Sequence, residues 1–329
     1  MSEHRSDDLT PGDTPPHLSA ILVTPDGFET IRPTVRRLRS QSVADRMELV
    51  VVAPSRGAID PHHAELSGFH GVGVVEVGPL RSIAAANAAG VRHARAPVVV
   101  LCEDHAWPEE GWADALLAAH RGPWAAVGPV VTNANPGSTV SAADFLIGYG
   151  PWADSVARQE MEHLPGHNSS YKREVLMGYG PRLEELLEAE TVLHWDLRRR
   201  GQRLLLEPAA RVSHLTFSRW RTFLRVQLLA GRVFGARRAA GLGLARRAAL
   251  VLAAPLVPAV RLARLLRGRP PGLVLRALPA LVPGLILDAV GQFLGGLAGP
   301  GRAREALVLF EFRRWEHVRP GEGPPPDGP

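Results

Sequence analysis

Between residues 17 and 215, short aliphatic runs alternate with amphipathic stretches, and no other feature constrains the chain as much. The runs are Ser19–Thr24 (SAILVT), Met47–Ala53 (MELVVVA), Val72–Val77 (VGVVEV), Pro97–Cys102 (PVVVLC), Ala125–Val131 (AAVGPVV) and Arg203–Glu207 (RLLLE). Near-continuous apolar runs of this length read as strands buried on both faces. Between them, Ile31, Val35 and Leu38 share one helical face, Ser82–Ala94 is alanine-rich, and Trp112, Leu116 and His120 recur at helical spacing within Glu110–His120. The alternation predicts an α/β fold with a mostly parallel, doubly wound sheet flanked by helices. Ligands of such sheets bind beyond the carboxyl ends of the strands.

The chain changes character after residue 215. Thirteen arginines and no acid lie between Arg211 and Arg269, which leaves 25 basic against 33 acidic residues elsewhere. That asymmetry points to a polyanionic partner, and interleaving with Leu, Val and Ala rather than aromatics favours a membrane surface over nucleic acid. Ser218–Arg238 reads as a basic amphipathic helix with Phe223, Val226 and Ala230 near one face. Two apolar stretches follow, Ala248–Val260 and Leu278–Leu287, the second running past Asp288 to Gly301. The first is short of the roughly 20 residues a spanning helix needs, and the second crosses only if Asp288 and Gln292 find partners. Interfacial or re-entrant helices are expected, with one or two spans as the alternative. The expected organisation is a disordered tail over 1–16, an α/β domain over 17–215, a helical, Arg-rich, membrane-associated region over 216–318, and a second tail over 319–329. The single cysteine, Cys102, excludes an intrachain disulfide, and the polar start of the chain is no signal peptide. Both favour a cytoplasmic catalytic domain.

The strand ends carry the chemistry. Thr24-Pro25-Asp26-Gly27 follows the first strand without a G-x-G-x-x-G or P-loop pattern, and an ordinary turn is the alternative reading. The fourth strand runs straight into Glu103-Asp104-His105. Carboxylates there suit a hard divalent cation such as Mg2+ or Mn2+ that also accepts phosphate oxygens, while a helix cap is the simpler use of the same acids. Gly166-His167-Asn168-Ser169-Ser170-Tyr171-Lys172-Arg173 forms a polar knot, and Glu188–Gly201 reads as a helix with an acidic start and Gly201 at its C-cap. His214 closes a strand-like stretch, where a lone histidine is commonly structural.

In the order and spacing of these segments, from about Leu18 to His214, the chain resembles the family-2 glycosyltransferases, inverting nucleotide-sugar-dependent enzymes of the GT-A fold. SAILVTPDGFETIRPTVRRLRSQ is similar to that family's first strand and helix, ending in Gln41, and Leu80–Gly90 to its sugar-nucleotide-facing helix. The resemblance implies a nucleotide-sugar donor held near Thr24, Pro25, Asp26 and Arg81, and a divalent metal held by Glu103, Asp104 and His214. It also implies a glycan or lipid-linked acceptor met by His167, Asn168, Ser169 and Trp195, with Glu190 as catalytic base. The chain departs from the family at Cys102, which replaces the first acid of Asp-x-Asp, at Ala53-Pro54-Ser55, where many members carry an Asp pair, and at Glu190 in place of Asp. The competing reading is a catalytically inactive GT-A-like scaffold or binding module at a membrane. A sugar nucleotidyltransferase would need a Gly/Arg/Lys-rich phosphate loop near its start, which this sequence lacks.

Overall fold

The computed structural model describes residues 14–60, 63–154, 156–267, 269–312 and 314–322, so the tail expectations over 1–13 and 323–329 lie outside the described residues. The strands are β1 Leu18–Val23, β2 Met47–Ala53, β3 Gly71–Glu76, β4 Val98–Cys102, β5 Ala106–Pro108, β6 Trp124–Asn133, β7 Gln159–Glu160, β8 Ser170–Lys172 and β9 Arg203–His214. The helices are α1 Phe28–Arg39, α2 Ile83–His93, α3 Trp112–His120, α4 Thr139–Tyr149, α5 Arg173–Met177, α6 Leu183–Leu187, α7 Glu190–Arg199, α8 Trp220–Ala239, α9 Leu244–Leu252, α10 Val257–Leu266, α11 Pro271–Ala298 and α12 Ala303–Phe312.

The core is the α/β architecture expected from the sequence, a sheet flanked by helices, and the sheet is mixed. Its order is β3-β2-β1-β4-β8-β6-β9-β5, with β7 paired to β9. The β1–β2, β1–β4 and β2–β3 pairs are parallel, whereas β8 runs antiparallel to both β4 and β6, and β7 antiparallel to β9. The parallel layout read from sequence therefore describes one half of the sheet. The reversal comes from β8, three residues inside the polar knot, too short and too polar to show a hydrophobic period. β9 joins the Arg203–Glu207 run and the strand-like stretch that His214 closes into one strand through Pro208. Alternation of buried Ala210, Val212 and His214 with partly exposed Arg211 and Ser213 explains why a search for continuous apolar runs stopped early.

The chain divides into two compact units, one of residues up to 132 together with 152–213, the other of 133–151 together with the residues from 214 onward. In the sheet unit, β1, β2 and β4 are buried along their whole lengths, and Ile31, Val35 and Leu38 of α1 are fully buried on the predicted face. Gln41, next to the end of α1, donates to the Glu109 carbonyl at 3.0 Å and accepts from the Ala113 amide at 3.1 Å, which fixes the entry to α3.

In the helical unit, α4 joins the C-terminal helices around Val140, Leu146, Phe217, Phe223, Leu281 and Leu285. Its start is capped by Ser138, whose hydroxyl accepts from the Ser141 amide at 3.0 Å. α8 and α11 meet backbone to backbone. A methyl group on Gly231 or Gly235 would stand 2.2 or 2.3 Å from the carbonyls of Asp288 and Gln292, and one on Gly295 only 2.0 Å from that of Arg232. This is the small-residue contact that lets helices approach closely. Arginines close the end of α11: Arg232 donates to Gly299 O at 3.1 Å, and Arg247 to Gly296 O at 2.6 Å and Leu297 O at 2.8 Å. The partners that Asp288 required are present, since Arg261 donates to its carboxylate at 2.6 Å and Gln292 at 2.8 Å. Arg319 and Glu322, placed in the expected C-terminal tail, are also held, Arg319 N by Ser218 Oγ at 2.8 Å and Glu322 by Asn135 Nδ2 at 3.1 Å. Two helical stretches, Leu244–Leu266 and Pro271–Ala298, are long and apolar enough to cross a membrane.

Candidate metal centre

β1 and β4 are neighbours in parallel register, Leu22 opposite Cys102. The turn Thr24–Gly27 and the turn Glu103–His105 therefore leave the same end of the sheet. Thr34 of α1 ties down the second turn, its hydroxyl lying 3.1 Å from the carbonyl oxygens of both Glu103 and Asp104. Asp104 and His105 form a tight turn after β4, which brings both acidic side chains to the His105 ring.

The side chains bear this out. His105 Nε2 stands 3.4 Å from Glu103 Oε1, and His105 Nδ1 stands 2.6 Å from Asp104 Oδ1. A carboxylate only accepts, so the proton of this contact sits on His105 Nδ1, and Nε2 is the nitrogen nearer Glu103. The other Glu103 oxygen accepts from Asn168 Nδ2 at 3.1 Å. Asn168 sits at φ 62°, in the left-handed region that Asn tolerates better than most residues, and its amide donates to Leu101 O at 2.6 Å. That turn reverses the chain into β8 and aims the Asn168 side chain at Glu103.

His214, the last residue of β9, is fully buried. The Tyr149 hydroxyl lies 2.8 Å from His214 Nε2, and their ring centroids are 4.3 Å apart. Two ligands of one cation with bonds of about 2.1 Å stand roughly 3.0–3.4 Å apart, which matches the Glu103–His105 pair. Glu103 and His105, with the Asp104 carboxylate behind the imidazole, offer oxygen and nitrogen donors suited to a divalent metal.

His167 bridges this cluster to Glu190. Its Nδ1 lies 3.6 Å from Glu103 Oε1 and its Nε2 lies 3.6 Å from Glu190 Oε1. Glu190 is the first residue of α7, and Gly166 makes room for it, because a methyl group on Gly166 would come within 2.7 Å of Glu190 Oε2.

The remaining sequence-derived residues fall in different places. Thr24 is buried, its hydroxyl donating to Gly27 O at 3.0 Å, while Pro25 and Asp26 form the more exposed part of the same turn. Arg81 is exposed just ahead of α2. Ser169 is fully buried with its hydroxyl on Pro165 O, so it supports the loop from beneath. Trp195 is 42% exposed and lines an open recess of about 340 Å³ with Glu162, Arg198 and Arg199. Five residues beyond Glu190, it lies about 140° around α7 from it. Asp104 holds its Oδ1 2.6 Å from His105 Nδ1. Cys102 is packed in the apolar core below the cluster, and burial, with the Glu103 charge, pushes its thiol pKa far up, so it supplies no thiolate.

His105 had a sequence signal, the Glu-x-His spacing, overshadowed by the adjacent acids. Tyr149 had none, since 65 residues separate it from His214.

No family model matches the chain, and no curated protein matches it. Among solved structures, it is similar to GalNAc-T7 with UDP, GalNAc and Mn2+ (14% identity, TM-score 0.47, covering 70% of this chain and 52% of that one), so it spans about half of that protein's length. It is also similar to the mannosyltransferase PcManGT from Pyrobaculum calidifontis in complex with GDP-Man and Mn2+ (19% identity, TM-score 0.45, covering 92% and 83%). A third similar structure is S. aureus TarS 1–349 in complex with UDP (14% identity, TM-score 0.46, covering 86% and 92%).

Proposed function

We propose that this protein is a membrane-associated glycosyltransferase that moves a sugar from a nucleoside-diphosphate donor to a glycan or lipid-linked acceptor, with inversion at the anomeric carbon. The observation that carries this reading is the line from Glu103 and His105, through His167, to the Glu190 carboxylate. Donors suited to a divalent cation and a carboxylate suited to act as base, at the end of the sheet where α/β folds bind ligands, support it.

A divalent cation in the cluster would supply Lewis-acid neutralisation of the departing diphosphate. The imidazole share of the donor set favours Mn2+ over Mg2+. The chain's own residues do the rest. Glu190 takes the proton of the acceptor hydroxyl on Oε1 or Oε2 as the acceptor oxygen bonds to the anomeric carbon and the bond to the diphosphate oxygen breaks. Attack from the face opposite the leaving group inverts that carbon. Asp104 holds the His105 tautomer, and Asn168 and His167 hold Glu103 and Glu190 in their relative positions. Thr24, Pro25, Asp26 and Arg81 are assigned to the donor, and His167, Asn168, Ser169 and Trp195 to the acceptor side. Ser169 acts there only through the loop it supports. The arginine-rich flanks of the apolar helices favour a cytoplasmic catalytic domain.

The test is binding and turnover of a panel of nucleotide-sugars, with Mn2+ and with Mg2+, by the full chain in detergent. One donor is expected to bind with Mn2+. His105→Ala should abolish that binding, whereas Glu190→Gln should bind the donor normally and turn over about 10²–10⁴-fold more slowly. Failure of every donor to bind with either metal would overturn the transferase reading and leave a GT-A-like scaffold.

A further inference from the structure

The two membrane-length stretches leave the mode of attachment open by length alone, and the packing of the helical unit decides it. α11 has 28 residues, about 42 Å of helix. It is locked to α8 by the glycine contacts described above, which bring the two backbones to the closest approach helices make. α8 carries Arg221, Arg225, Arg232, Arg237 and Arg238 within twenty residues, of which Arg221, Arg225 and Arg238 are exposed. A hydrocarbon core does not accept such a helix, and α11 cannot cross without taking α8 with it. The other stretch, Leu244–Leu266, is likewise tethered, by Arg261 to Asp288 and by Arg247 to the end of α11, and it exposes Arg264.

The same unit nevertheless exposes much apolar surface. Leu275, Val282, Ile286, Val290, Phe293 and Leu297 recur every three, four or seven residues, a single stripe along the whole of α11. Leu244, Leu252 and Leu256 are 86, 77 and 66% exposed on the α9–α10 arm. Its charge is one-sided. Between Glu207 and Glu305 the sequence has sixteen arginines and one acid, Asp288, which Arg261 neutralises. Apolar stripes beside unopposed arginines complement the acyl and headgroup layers of an anionic leaflet.

We propose that the helical unit is an in-plane anchor: α9, α10 and the outer stripe of α11 lie in one anionic leaflet, and neither stretch crosses the bilayer. This rests on the membrane association proposed above and deepens it.

The chain's only cysteine is buried, so engineered cysteines report sidedness without background. Gly243, at φ −64° with open space around it, precedes α9, and exposed Arg267 follows α10. The full-length double variant Gly243→Cys/Arg267→Cys, reconstituted into sealed phosphatidylcholine/phosphatidylglycerol vesicles, is treated with a membrane-impermeant maleimide and weighed intact. An in-plane anchor gives molecules with two labels or none, whichever way they are oriented, whereas a span across Leu244–Leu266 gives one label per molecule. Flotation of the unmodified chain with these vesicles should exceed that with pure phosphatidylcholine vesicles at least tenfold in 0.1 M salt. A single-label population, or equal flotation with both lipids, overturns the in-plane anionic anchor while membrane association stands. No flotation with either lipid, or a detergent-free dimer that covers the stripe, overturns membrane association as well.

Discussion

The sheet unit and the helical unit handle buried polarity in opposite ways. In the sheet unit, polar side chains are drawn in as neutral imidazoles and oriented carboxylates. His194 is fully buried with Tyr171 Oη 2.9 Å from its Nε2, His120 is buried with Ser170 Oγ 2.9 Å from its Nε2, and Glu103 and His105 meet at the strand end. In the helical unit, glycines remove side chains so that backbones touch, arginines cap carbonyls, and the few buried acids lie among amides and guanidinium groups. The first arrangement builds a place for chemistry. The second builds a rigid body with an apolar, cationic exterior. The difference shows that one chain can hold buried polarity in two ways, by pairing polar side chains within a sheet and by closing backbone contacts with arginines.

The contrast breaks first, and most severely, at Gly166. Gly166→Ala drives a methyl group into the Glu190 carboxylate, and turnover should fall about as far as in Glu190→Gln, by roughly 3–5 kcal/mol of barrier, with Mn2+ affinity retained. Calorimetric Mn2+ titration beside a turnover assay checks this, and wild-type turnover in Gly166→Ala would remove Glu190 from the chemistry. Next in size is Gly295→Ala, which pushes a methyl group against the Arg232 carbonyl and should destabilise the helical unit by about 1–3 kcal/mol. Hydrogen exchange should speed up in α8 and α11 and stay unchanged in β1, β2 and β4.

Acid should separate the units by sign. Burial lowers the His194 pKa to about 3 and, with Lys172 adding to it, that of His120 to about 4. Because both folded values lie below that of an exposed imidazole, the unfolded chain takes up protons first as pH falls. Stability is then lost from about pH 6.5 downward, on the order of 2 kcal/mol per histidine at pH 5. Asp144 in α4 works the other way. Burial raises its pKa to about 6, against the opposing effects of Arg314, the Phe217 amide and Gln227. Its contribution is full below about pH 4 and is lost as pH rises through 6, so lowering the pH from 7 to 5 should return on the order of 1 kcal/mol to the helical unit. Hydrogen exchange at pH 7 and pH 5 should therefore show protection falling in the sheet unit and rising around α4, and Asp144→Asn should abolish only the second change. The smallest effect belongs to Thr34→Val, which removes the hydroxyl from the Glu103 and Asp104 carbonyls. It should cost about 1 kcal/mol of stability and weaken Mn2+ binding severalfold.

Residues within a few positions of one another were legible in the sequence. The runs that became β1, β2 and β4, the helical face of Ile31, Val35 and Leu38, and the Glu103-Asp104-His105 turn announced themselves through hydrophobic period and through the abrupt change from apolar to charged. How those three would meet was not legible, because the tight turn at 104 and 105 sets the contacts of both acids with the His105 ring. β8 and the antiparallel half of the sheet left no pattern, since pairing over 70 residues of separation replaces local propensity there.

By itself the sequence determined the strand-rich α/β core, the abrupt passage to an acid-poor, arginine-rich end, and the strand end where acids and a histidine collect. All of these follow from periodicity and charge, which are local properties of a chain. Only the tertiary structure decided that His167 faces both Glu103 and Glu190, that Tyr149 meets His214, and that α8 and α11 touch at their glycines. Contacts of that kind depend on the register and handedness with which distant segments meet, and no single stretch of sequence carries that information.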